Sequence, residues 1–167
     1  NPFFNLLGTE KVLLRMHFED GFHLVLKRDC PTCTLIEPEI RKLVESGDFG
    51  QNLRIYIQDD PSYLSDLSQS VSDASLESSY RLKIETVPTL IRFENGEETS
   101  RSVGWVRKEW IQLLNDSMFG EHLPESRPGC GSLTVMPGVK ETLDARFGDL
   151  PLNSRTIEIG EFDDPID

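Results

Sequence analysis

The chain reads as an α/β protein, with a central mixed sheet and helices on both of its faces. Three observations lead there. Two short apolar runs, Phe22–Leu26 and Leu53–Ile57, flank a segment of helical spacing, which makes a pair of parallel strands joined through a helix. Asn95-Gly96 then lies between two extended runs and is a strong hairpin signal, since both residues tolerate the positive φ of a type I′ turn. A last helical pattern follows the hairpin. Parallel strands completed by an antiparallel hairpin give a sheet that must be covered on both faces.

Taken in order, the run from Gly8 to Glu19 predicts a helix closed by Gly21. Phe22-His23-Leu24-Val25-Leu26 is short, apolar and bounded by glycine and charge, as a buried strand should be. Two cysteines come directly after it. Ile36, Ile40, Leu43 and Val44 then recur at helical spacing up to Gly47, so a helix starts at or beside the cysteines. Leu53–Ile57 is the second strand. Residues 59–73, rich in Ser and Asp, read as a polar insertion and a solvated loop. Leu76, Tyr80 and Ile84 mark a further helix, Thr89–Glu94 and Glu97–Val103 are the hairpin strands, and Val106, Trp110, Leu113 and Leu114 give the last helix of the unit. Trp110 fits the core face of that helix, and Trp105 is expected near the sheet edge.

The texture changes near Gly120, where Pro124, Pro128, Gly129, Gly131, Pro137 and Gly138 punctuate the chain. The expected division is a domain over 1–120 and a C-terminal extension over 121–167. Within the extension, Val139, Leu143 and Phe147 suggest a short helix between Pro137 and Gly148, residues 155–159 a strand, and residues 161–167 an exposed acidic end. The Arg127-Pro128-Gly129-Cys130-Gly131-Ser132 stretch looks like the join to a further domain, so a fused partner domain is one expectation.

At 167 residues with a net charge of −12, the chain is unsuited to nucleic acid, whose phosphates are held by clustered Lys and Arg. No apolar run approaches the roughly 18–20 residues of a membrane span, so no membrane partner is expected. The first residues lack the basic region and apolar core of a secretory signal, and the expected compartment is the cytoplasm. Three cysteines, two of them three apart, do not form a disulfide framework. They read first as a redox or metal motif.

The chemistry is expected in Asp29-Cys30-Pro31-Thr32-Cys33. A strand that stops and a helix that starts present Cys30 to unpaired backbone N–H groups, which favour the thiolate. The spacing lets Cys33 reach Cys30 within one helical turn. Cys30 can then attack a disulfide and Cys33 can resolve the mixed disulfide. Lys27 and Arg28 would favour the thiolate, with Asp29 acting against them. Cys30 is expected to be the more exposed and more acidic thiol, with Cys33 shielded in the first turn.

The setting of this motif resembles the thioredoxin superfamily. Pro38 lies five residues after Cys33, where thioredoxins carry a helix proline. Thr86-Val87-Pro88-Thr89-Leu90 is similar to the family's cis-proline segment, and Ile91-Arg92-Phe93-Glu94-Asn95-Gly96-Glu97 to its strand, turn and return strand. Val103-Gly104 matches the glycine before the last helix. The resemblance spans roughly residues 20–115. It implies a thioredoxin-like three-layer fold, a thiol–disulfide oxidoreductase with Cys30 as nucleophile and Cys33 as resolving thiol, and no bound cofactor. It also implies that Pro31, Thr32, Val87 and Pro88 contact a protein or small-molecule disulfide substrate, with the backbone of Val87 offering hydrogen bonds. Two positions depart from the family. Leu24 stands where thioredoxins bury an aspartate, and Asp29 replaces the aromatic residue before the first cysteine. Proton transfer at Cys33 would then use water or an acid such as Glu37.

Other readings remain beside this one. A glutaredoxin shares Cys-Pro-x-Cys but continues toward a Gly-Gly turn, where this chain has Asn95-Gly96. A non-catalytic docking module of a longer protein is the alternative of a different class. A zinc site would draw on Cys30, Cys33, Cys130 and His122; no metal is expected, because a second Cys-x-x-Cys is lacking. Cys130, flanked by glycines, is either an ordinary cysteine or a third redox thiol that exchanges with the pair. His17, His23 and His122 read as ordinary surface or core residues.

Overall fold

The sheet is built outward from β1 (Gly21–Leu26). Residues 22 to 26 are all buried, and because successive strand residues face opposite sides, both faces of this strand are covered. The computed structural model describes residues 18–148. The expected helix over residues 8–19 lies outside them, except for Phe18 and Glu19, which are not helical. The expected strand at 155–159 and the acidic end also lie outside.

After β1 the chain enters α1 (Pro31–Glu45). Proline at its first position lacks only an N–H that would have no partner in the helix. Ile36, Ile40 and Leu43 are buried on one face, where full burial of each large aliphatic side chain contributes about 1.5–3 kcal/mol. The chain returns as β2 (Leu53–Ile57), parallel to β1 with Leu24 opposite Ile55 and Leu26 opposite Ile57. β3 (Ser70–Ser72) adds a further parallel strand beside β2. β5 (Thr89–Glu94) and β6 (Glu97–Val103) run antiparallel on the other side. The five-stranded order is β3-β2-β1-β5-β6, a mixed sheet. Between β5 and β6, Asn95 and Gly96 take φ of 53° and 77°, and the carboxylate of Asp20 accepts both of their backbone N–H groups at 2.9 Å.

Shorter elements complete the molecule: α2 (Glu77–Arg81), β4 (Thr86–Val87), β7 (Trp105–Val106), α3 (Arg107–Leu114), β8 (Ser126–Arg127), β9 (Cys130–Gly131), a 3-10 turn (Leu133–Val135) and α4 (Val139–Phe147). β8 pairs with β7 and β9 with β4, both antiparallel. α4 closes on α2 through a hydrogen bond from the Tyr80 hydroxyl to Asp144, 2.8 Å, and a ring contact between Tyr80 and Phe147. Residues 121–148 therefore pack onto the rest of the described chain by two strand pairs and a helix.

Two expectations need correction. Residues 59–73 are not a solvated loop: Tyr63, Leu64 and Leu67 join the core, and the segment ends in β3. The helix expected from Leu76 to Ile84 is only the five residues of α2. Leu76 precedes it with φ of 63°, and the buried Asp73 carboxylate accepts the N–H groups of Ser78 and Ser79, which fixes the start. Trp105, which follows the edge strand β6, is fully buried against Trp110 and Phe119.

Candidate active site

The site forms where β1 ends and α1 begins. Cys30 is the N-cap of α1, with extended backbone (φ −156°, ψ 108°), and its Sγ accepts the Cys33 N–H at 3.2 Å. The sulfur stands where Ser, Thr or Asp oxygen stands at an ordinary helix start. Thr34 N–H donates to Cys30 O at 3.0 Å, the first turn of the helix ladder.

The three thiols differ in acidity. The Cys33 side chain, donating to Cys30, holds it down; burial opposes this, and the Cys130 side chain and the N–H groups of Cys33 and Thr32 add to the lowering, to about 6. Burial, with the neighbouring Cys30, pushes Cys33 far up. Cys130 is also raised, first by burial and then by Cys30. All three are free thiols. Cys30 is thus the acidic member of the pair, as expected.

Its exposure differs from expectation. Cys30 is 1% exposed and Cys33 0%, so Cys30 is not the open thiol that its place at the helix start suggested. The cover is formed by the chain itself. β4 carries Val87, whose carbonyl lies 3.6 Å from Cys30 Sγ, and β9 lies against β4 with Cys130 directly opposite Val87. The Thr32 hydroxyl donates to Pro128 O at 2.7 Å, and the Lys27 ammonium to Gly131 O at 2.7 Å. Val87–Pro88 is a cis peptide. Pro88 is buried, and its carbonyl accepts the Gly104 N–H at 2.7 Å. Of the expected substrate contacts, Thr32 and Val87 thus meet the chain's own residues 128–130. Pro31 is exposed.

Lys27 and Arg28 each have a polar partner close to the site. Lys27 is committed to Gly131, and Arg28 pairs with Asp60 at 2.6 Å. Leu24 is fully buried. Glu37 accepts from Arg41 Nε at 3.2 Å and from the Tyr63 hydroxyl at 3.3 Å, so it is half-buried and engaged rather than solvated. His23 is a satisfied core residue between Tyr56 and Glu19 O. His122 is exposed and pairs with Glu121. Among the described residues no three His, Cys, Asp or Glu side chains group as metal ligands, and no helix is long and apolar enough to cross a membrane.

Sequence reading missed two residues that shape the site. Asp59 accepts the Arg28 N–H at 2.7 Å and the Asp29 N–H at 2.9 Å, which fixes the loop entering Cys30. Burial pushes its carboxyl up, but the N–H bonds from Asp29 and Arg28 outweigh this and leave it below the ordinary range. The signal was available in the register: with Leu26 opposite Ile57 in a parallel pair, the residues after each strand must meet. Gln58 is buried; its amide donates to Ser79 and Ser132 hydroxyls at 2.9 and 2.8 Å and accepts the Leu133 N–H at 3.0 Å. It anchors the chain just beyond Cys130. In comparison with known proteins, no family model and no curated protein matches this chain.

Proposed function

We propose that the chain is a thiol–disulfide oxidoreductase of the thioredoxin-like class, with Cys30 as nucleophile and Cys33 as resolving thiol. One observation carries the reading: Cys30 caps α1 with its sulfur, 3.2 Å from the Cys33 N–H, and is held near the acidity of a reactive thiolate. The resemblance of the segments around Cys30, Pro88 and Asn95-Gly96 points the same way, as does a mixed sheet in the order β3-β2-β1-β5-β6 whose parallel pair β1–β2 is joined through α1. The thiolate of Cys30 attacks a disulfide sulfur and expels one thiolate. Cys33 then attacks Cys30 Sγ, expels the second and leaves a Cys30–Cys33 disulfide. The site's own dithiol exchanges the electrons, so no cofactor enters the reading, and the cytoplasm, where dithiols stay reduced, suits it.

The alternative is a docking module without catalysis, favoured by the near-complete burial of Cys30. Reduction of a model disulfide such as insulin, with dithiothreitol as electron source, separates the two. Activity that is lost in Cys30→Ser supports the oxidoreductase. A wild-type chain that takes no electrons, with Cys30 inert to alkylation, supports the docking module.

A further inference from the structure

An extended disulfide substrate would have to reach the edge of β4 beside Cys30, and this edge is already paired. β9 lies along it with Thr86 opposite Gly131 and Val87 opposite Cys130. Residues directly opposite in an antiparallel pair are about 4.5–5.5 Å apart at Cα. Val87 O is itself 3.6 Å from Cys30 Sγ, so the pairing brings the Cys130 side chain into interaction with Cys30.

The strand is fastened at both ends, independently of the cysteine. On one side Thr32 holds Pro128 O and Lys27 holds Gly131 O. On the other, Ser132 N–H donates to Glu85 O at 3.0 Å, and the Ser132 hydroxyl and Leu133 N–H bind the buried amide of Gln58. Gly129 is fitted to the approach, because a Cβ there would stand 2.5 Å from Val87 O and closer still to Thr86 Cγ2. A loop that merely passed the site would need none of these.

We infer that residues 127–131 are the oxidoreductase's built-in substrate strand, and that Cys130 resolves mixed disulfides at Cys30 to give an intramolecular Cys30–Cys130 disulfide. The inference rests on the dithiol reading above and adds a third thiol to it. With glutathione disulfide as oxidant, the Cys30 thiolate attacks one sulfur, forms the Cys30–glutathione bond and releases one glutathione thiolate. The Cys130 thiolate then attacks Cys30 Sγ, forms the Cys30–Cys130 bond and releases the second. Two cysteine thiols are oxidised, one glutathione disulfide is reduced to two thiols, and the protons of Cys30 and Cys130 pass to the released thiolates. Cys33 competes for the same sulfur.

The test uses the full chain treated with glutathione disulfide, with tryptic mapping of its disulfides. Cleavage after Arg41 separates Cys30 and Cys33 from Cys130. In Cys33→Ser the adduct at Cys30 should be transient and give way to peptides linked through Cys30 and Cys130, while the protein stays monomeric on a non-reducing gel. In Cys33→Ser with Cys130→Ser the adduct should persist. The wild-type chain should show the Cys30–Cys130 link beside Cys30–Cys33, which guards against a variant that fails to fold. A persistent adduct in Cys33→Ser, with no such link in either protein, overturns the inference and leaves the dithiol reading standing, as does a link found only between two chains. A Cys30 that takes no glutathione in any of them overturns both.

Discussion

The backbone N–H of Cys33 points at the sulfur of Cys30 from 3.2 Å, so the helix start donates to the nucleophile while the thiol of Cys33 is buried behind it. With Cys30 lowered to about 6, roughly 90% of it is ionised at pH 7, against about 3% for a thiol of ordinary pKa near 8.5. Alkylation with iodoacetamide, followed by mass spectrometry, should therefore mark Cys30 before Cys33, with a rate that rises through pH 6 and levels above pH 7. Preferential labelling of Cys33 would reverse the roles assigned here.

Gly129→Ala tests the fit of the covering strand. The added methyl group meets Val87 O and Thr86, and overpacking of this kind costs about 1–3 kcal/mol. If that cost falls on the closed segment, the population with Cys30 uncovered rises about 5- to 150-fold, and the alkylation rate with it. An unchanged rate in a folded variant would mean that Cys30 is reached by another route.

Asp59→Ala removes the acceptor of the Arg28 and Asp29 N–H groups. Bonds to a charged acceptor are worth about 1.5–3 kcal/mol, reduced here because Asp59 is only half-buried, so a loss of about 1–3 kcal/mol in urea unfolding is expected. The carboxyl is lowered on folding, so its contribution is present above the unfolded value of about 3.9 and is lost as pH falls through the lower folded value. In wild type this component should survive at pH 5.

His23 adds an opposite kind of group with the same direction. Glu19 O can only accept, so Nε2 carries the proton, and Nδ1 accepts from the Tyr56 hydroxyl. Burial lowers its pKa. The neutral ring is the folded form, so stability is full above the unfolded value of about 6.5 and falls as pH drops from there toward the lowered folded value. Urea midpoints between pH 7.5 and 5, compared with His23→Gln, should show this component in wild type and its loss in the variant.

Most of the sheet could be read from short-range pattern. The strands at Leu53–Ile57, Thr89–Glu94 and Glu97–Val103 fall where apolar runs and Asn95-Gly96 put them, because burial on both faces and a positive-φ turn leave local marks. β3 left none: Ser70-Val71-Ser72 is too short and polar to alternate, and only its parallel register with β2 makes it a strand. The same limit hid the cover over Cys30. The acidity of Cys30 follows first from the Cys33 side chain three residues on, a local spacing, but its burial depends on Cys130 pairing with Val87, 43 positions back in the chain, and no local period encodes that.

The hydrogen bond from Trp105 Nε1 to Pro124 O, 2.8 Å, has an optical consequence. Trp105 lies on β7, which pairs with Ser126–Arg127, and its ring is fully buried against Trp110 and Phe119. The strand that bears Cys130 is thus tethered, a few residues upstream, to an internal fluorophore. If lifting that strand from Thr86–Val87 also parts β8 from β7, the Trp105 indole meets water and its emission shifts to longer wavelength. The departure of the cover from Cys30 could then be followed in real time with no label attached.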